Sequence, residues 1–203
     1  MARDRAQSSE SGPAPVTPKG RRAREALLDA GARVAQRAGL AGMTVAAVTN
    51  EAGLAKGSFY VYFADRAGFI DALHQRFYER VNLAVMGAVE DIPPGLRREL
   101  VMIEAYLDVC LDNLAVKALV METRSQPGLT TTMEEREALA VQLAEANLKA
   151  MGVPSPADAA RLVVAMTSEA AMIELEAGQR IPATRNMVRK LVEGMAGTRV
   201  SRR

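Results

Sequence analysis

Residues 52–69 read AGLAKGSFYVYFADRAGF and gather three glycines and five of the chain's eight aromatic residues into one short stretch. Just upstream, Thr44 is a natural N-cap for a short helix, VAAVTNEA, whose Val45, Val48 and Ala52 point one way. Gly53 can take the left-handed conformation of a sharp turn, and Leu54 can anchor that turn in a core. A second short helix, AKGSFYVY, follows at once. Before both, Leu27, Ala30, Gly31, Val34 and Ala38 mark one face of a longer helix that begins near Arg21 and stops at Gly39. Two short helices across a tight glycine turn, behind a supporting helix, make a helix-turn-helix.

The chemistry of the stretch fits that unit. The N-terminal end of the second helix enters the major groove of DNA, so Ala55, Lys56, Gly57 and Ser58 are placed to reach base edges or phosphates. Gly57 costs its helix about 1 kcal/mol against alanine, and close approach to DNA is a reason to tolerate that cost. Tyr60 and Tyr62 offer hydroxyls to phosphate oxygens, Arg66 a charged third contact, and Thr44 a further one beside its capping role. Phe59 and Phe63 should pack inward against Leu27, Val34 and Val48. The same tyrosines also suit a half-buried position with wet hydroxyls, and Lys56 and Arg66 also suit a solvated surface. Lys19, Arg21, Arg22 and Arg24 can follow the DNA backbone or lie in solvent.

Residues 21–70 resemble the N-terminal domain of the TetR family of bacterial transcription regulators. The resemblance rests on Thr44, Val48, Ala52, Gly53, Lys56, Gly57, Ser58, Phe59, Tyr60, Tyr62 and Phe63. Where that family continues with a lysine and an acid, DRAG stands here, so Arg66 takes the lysine's place and the acid is missing. The resemblance implies a homodimer on a palindromic double-stranded operator, released by a small, largely apolar ligand, most simply as a repressor. An architectural or adaptor protein of the same fold is the alternative.

Composition is consistent with this reading. With 49% apolar and 25% charged residues the 203-residue chain has values ordinary for a soluble protein with a full core. Residues 1–66 carry ten Lys/Arg against six Asp/Glu, while residues 67–203 carry sixteen against eighteen, so positive charge concentrates beside the aromatic stretch. A single cysteine and the lack of an apolar leader or a span of ~20 apolar residues lead us to expect a cytoplasmic protein. Residues 1–20, rich in Ser, Gly and Pro, read as a disordered arm, 21–66 as the DNA-binding domain and 67–203 as an effector-binding and dimerisation domain.

The C-terminal part reads as helices over 66–90, 95–113, 115–125, 129–151, 156–178 and 184–196, giving an all-α protein. Ser155 should cap the fifth of these, with Asp158 reaching back. The helix 95–113 is apolar on two sides, so it is either sandwiched in the core or borders a cavity. The resemblance implies the cavity, and Met102, Tyr106, Cys110, Met121 and Met172 are its candidate lining. Glu104, Asp108 and Asp112 fall on a remaining outward strip, expected to be solvated. Val163, Met166, Ala170 and Ile173, then Val188, Leu191 and Met195, form stripes that pack within one subunit or against a second; the resemblance favours the dimer.

An enzyme is disfavoured. One histidine, His74, expected on a polar face, one cysteine, and no phosphate loop, metal-ligand cluster or nucleophile elbow leave no residues to carry catalysis, and neither cofactor nor metal is expected.

Overall fold

The computed structural model describes residues 17–123 and 130–196, which form helices α1 (Pro18–Gly42), α2 (Val45–Ala52), α3 (Lys56–Tyr62), α4 (Arg66–Ala88), α5 (Leu96–Asp112), α6 (Leu114–Thr123), α7 (Thr130–Ala150), α8 (Pro156–Ala177) and α9 (Pro182–Ala196). The fold is all-α. Residues 1–16, most of the expected arm, lie outside the described residues. Its last part does not: Thr17 accepts a hydrogen bond from the Gly20 amide at 3.1 Å and starts α1 three residues before the apolar periodicity does. Lys19, Arg21, Arg22 and Arg24 are therefore the first turns of a helix.

Local signals fix the N-terminal unit. Gly39 (φ 55°, ψ −160°) breaks α1, and one more turn follows it to Gly42. Thr44 Oγ1 accepts from the Ala47 amide at 3.1 Å and opens α2. At the other end Gly53 is left-handed (φ 67°), with Gly53 N–H on Asn50 O and Leu54 N–H on Thr49 O, a Schellman ending. α3 leaves at once, and Phe59 and Phe63 wedge it against Leu27, Val34, Val48 and Phe69 in one core. Arg33 and Arg37 hold Glu51 at 2.6 and 2.5 Å, bracing α2 on α1, and the Arg37 bond, then the Arg33 bond, lowers that carboxyl's pKa.

A second core, with Phe77, Ile103, Leu107, Leu148, Val163 and Val192, joins α4 to α5 and to α7–α9. Helix α6 belongs to both: Leu119 sits in the first core, Val116 and Val120 in the second. Ser155 is left-handed (φ 49°) and its hydroxyl makes no capping bond, so α8 starts on Pro156 without the expected side-chain cap.

His74 corrects another expectation. It is wholly buried on α4 instead of lying on a polar face, and desolvation lowers its pKa from 6.5 to about 4. The unfolded chain thus takes up a proton near pH 6.5 that the fold refuses until about pH 4. Stability should fall as pH drops through this window, by up to about 3 kcal/mol. Thermal melts of the parent and of His74→Gln across pH 4–7 check this: the loss should be smaller in the variant, and equal slopes would show that the imidazole does not contribute.

Candidate nucleic-acid interface and internal cavity

The N-terminus of α3 stands out from the protein. Ala55, Lys56 and Gly57 are exposed, Ser58 is half-buried, and its amide donates to Ala55 O at 2.9 Å. A methyl group on Gly57 would meet no atom within 4 Å, so nothing inside the fold requires glycine there. Tyr60 is 52% exposed, its ring edge-on to Phe59 at 5.5 Å, whereas Tyr62 packs partly against the core. Thr44 is exposed beside its cap. Arg24 lies over the Phe63 ring at 5.4 Å, which carries positive charge from α1 toward the end of α3.

Arg66 has a structural task that the sequence did not disclose. Its Nε donates to Met43 O at 2.6 Å and its Nη2 to Leu40 O at 2.5 Å, tying the start of α4 to the junction between α1 and α2. From the other side, Glu122 on α6 accepts the Leu40 amide at 2.9 Å. The Leu40 peptide, one residue after the break at Gly39, is thus gripped by both α4 and α6. Asp65, the acid of the DRAG segment, accepts from the Gly68 amide at 2.8 Å and caps α4.

Behind this unit, α4–α8 line a partly open cavity of about 660 Å³. Of the candidate lining residues, Met102, Tyr106 and Met172 are on its wall. Cys110 is not: it faces the packed core, one turn past Tyr106, where burial raises its thiol pKa. The Met121 side chain lies outside the described residues. Sequence reasoning missed the wall's polar groups. Glu99, Lys117 and Thr167 are among them, and each is buried. Lys117 Nζ donates to Tyr106 Oη at 2.9 Å, and burial holds the phenol's pKa well above its ordinary value. Glu99 Oε2 accepts from Asn147 Nδ2 at 2.7 Å, and burial raises its pKa.

The dimer stripes divide. Val163, Ala170 and Val188 are buried in the protomer's own core, and Val163 also lines the cavity. Met166 and Met195 are half-buried, while Ile173 and Leu191 are exposed together with Leu162 and Met187, which the stripes omitted. The outward apolar face is therefore Leu162, Met166 and Ile173 on α8 with Met187 and Leu191 on α9. The expected solvated strip on α5 is also partly covered: Glu104 and Asp108 bind Arg180 and Arg185.

Two family models match the chain. Residues 27–73 match bacterial regulatory proteins of the tetR family, and residues 110–197 match the tetracyclin repressor-like C-terminal domain. No curated protein sequence matches. Among solved structures, a putative TetR-family transcriptional regulator from Rhodococcus sp. superposes with a TM-score of 0.76 at 18% identity, over 87% of this chain and 100% of that one. A transcriptional regulator from Rhodococcus sp. RHA1 gives 0.74 at 17%, over 85% and 95%. The ketosteroid transcriptional regulator KstR2 of Mycobacterium tuberculosis gives 0.61 at 19%, over 86% and 93%. At such identities these structures speak for the fold alone. No helix among the described residues is long and apolar enough to cross a membrane. With both family models in chain order on an all-helical fold that presents an exposed α3 behind a capped α2, the chain belongs to the TetR family of bacterial transcription regulators.

Proposed function

We propose that the protein is a one-component repressor that binds a palindromic operator as a homodimer in the cytoplasm and is released by a small, largely apolar effector held in the cavity. The observation that carries the DNA-binding part is the exposed glycine at 57, flanked by Lys56 and Tyr60. Its glycine is unexplained by any contact within the fold and lets the α3 backbone approach a duplex closely. Tyr60 is the freer of the two tyrosines to bond phosphate; Tyr62, Thr44 and Ser58 flank it. Arg66 has donors left beyond the two carbonyls for a phosphate, and it fixes the angle at which α2 and α3 are presented.

Helix α6 supplies the coupling. Lys117 and Val120 line the cavity, Leu119 packs in the DNA-binding core, and Glu122 holds Leu40. A guest that shifts α6 moves the junction ahead of Thr44, and α4 follows through Arg66. A coupling of about 1–3 kcal/mol is enough for a switch.

The test is an operator titration, using a palindrome found by footprinting the DNA beside the gene. Lys56→Ala and Tyr60→Phe should weaken binding with the fold intact, and loss of a Lys56 phosphate contact should reduce the salt slope by about 0.9. Unchanged affinity in both would rule out this face. In Glu122→Ala an effector should still bind yet release DNA less; undiminished release would remove α6 from the route.

A further inference from the structure

Helix α3 buries one side in the core and turns a ridge outward on the other. At 3.6 residues per turn, Val61 lies about 200° round the helix from Phe59 in one direction and from Phe63 in the other. Both rings are buried, so Val61 points away from the core, and it is 62% exposed. Gly57 stands one turn earlier on the same ridge, also exposed, where a methyl group would meet nothing within 4 Å. The flanks differ from the ridge. Lys56 and Tyr60 run down one side of it and Ser58 and Tyr62 down the other, each pair four residues apart. An ammonium and three hydroxyls thus border an outward ridge that carries no polar side-chain atom.

Nothing inside the protein accounts for a valine there. Among the described residues ahead of α4, Tyr60 and Val61 are the large apolar side chains left exposed. A β-branched residue is a mediocre helix former, and α3 has only 7 residues in which to hold its shape. Alanine, lysine or glutamate would serve an idle exposed position better. A helix laid in a major groove sets its outermost ridge against the base edges and its flanks toward the phosphate walls. Gly57 removes a side chain that would hold the ridge off, so the Val61 isopropyl group can reach the groove floor. It neither donates nor accepts a hydrogen bond, and set against a base nitrogen or oxygen it would displace water without replacing its bonds. The apolar group on the floor of the major groove is the C5-methyl of thymine.

We infer that Val61 is a specificity-determining residue that packs on a thymine C5-methyl in each operator half-site. This rests on the reading of α3 as the helix that enters DNA, and it adds to that reading a base and the atom by which it is recognised.

The footprinted palindrome is compared with copies in which each symmetry-related pair of thymines in turn is replaced by deoxyuridine, which pairs in the same way and lacks only the methyl. For one such pair the affinity of the full chain should fall by about 15-fold, or about 4-fold for each methyl lost. Val61→Ala should bind the thymine palindrome about as weakly as the parent binds that copy, and should no longer distinguish the two. Its melting temperature should match or exceed the parent's, because alanine is the better helix former; a merely structural valine would lower the melting temperature and leave the methyl preference in place. Half-sites without thymine, parent affinities that are equal for every copy, or a methyl preference undiminished in Val61→Ala would overturn the inference. The DNA-binding reading fails by a different result: a parent that binds the palindrome no more tightly than an unrelated duplex of the same length.

Discussion

Replacing Arg185 with methionine should destabilise the protein by about 3–5 kcal/mol, the cost of leaving a buried charge without its partner. The guanidinium sits between three helices and is 2% exposed, as is the Glu174 side chain it faces. Nε and Nη2 of Arg185 grip Glu174 at 2.8 and 2.7 Å, and Nη1 reaches Glu104 at 2.9 Å and Asp108 at 2.5 Å. Glu174 also accepts the Ile181 amide at 2.9 Å, which fixes the turn between α8 and α9. Burial pushes the Glu174 pKa up, but the Arg185 bonds, the Ile181 amide and the nearby charges outweigh it, so the carboxyl ends below its usual value of 4.5. A depressed carboxylate stabilises the fold above its unfolded pKa, and that contribution is lost as pH falls through the folded one.

Chemical denaturation at fixed protein concentration checks the size of the effect, and the melting temperature should drop by roughly 10 °C. The control is the double variant Arg185→Met with Glu174→Leu, which should recover most of the loss because no orphan charge remains. A single variant as stable as the parent would mean that Glu174 is solvated after all. Because this cluster helps to dock α9 on α5 and α8, the single variant should also weaken any assembly that uses α9.

That cluster shows where the sequence stops being readable. Glu104, Asp108 and Asp112 recur every four residues and, taken along the chain, look like a solvated strip on α5. Their partner lies 81 residues beyond Glu104 and 77 beyond Asp108, and no local signal connects them. The same holds for Glu99 with Asn147, and for Glu122 with the Leu40 amide. The helix-turn-helix was legible for the opposite reason: Thr44 caps three residues ahead, Gly53 makes its turn within two residues of the helix it ends, and Phe59 and Phe63 are spaced by one helical turn. The C-terminal helices came within two residues of their observed bounds because prolines and glycines punctuate them. Their facing did not follow. α8 has apolar or small residues over most of its circumference, so periodicity marks a stripe without saying whether its own protomer or another molecule covers it.

That distinction decides the experiment on the dimer. Val163 and Val188 are 1% and 3% exposed, so an arginine at either would disrupt the protomer's core and report on folding alone. Leu162 and Leu191 are 67% and 48% exposed, and with Ile173 and Met187 they place large apolar side chains in solvent on the two last helices. Leu162→Arg and Leu191→Arg should leave the helical content and melting of the protomer close to the parent's. If this face pairs with its symmetry mate, each substitution enters the interface twice. A desolvated, unpaired charge there costs about 4 kcal/mol, and with two in each dimer the affinity should fall by at least about a thousand-fold. Operator binding should fall with it, because two recognition helices must be held about 34–36 Å apart to enter successive major grooves. Sedimentation measures the association, circular dichroism the fold, and a mobility shift on the full palindrome the binding. Dimers that persist in both variants would place the interface elsewhere. Monomers that still bind the palindrome as tightly as the parent would break the link between two-fold pairing and recognition.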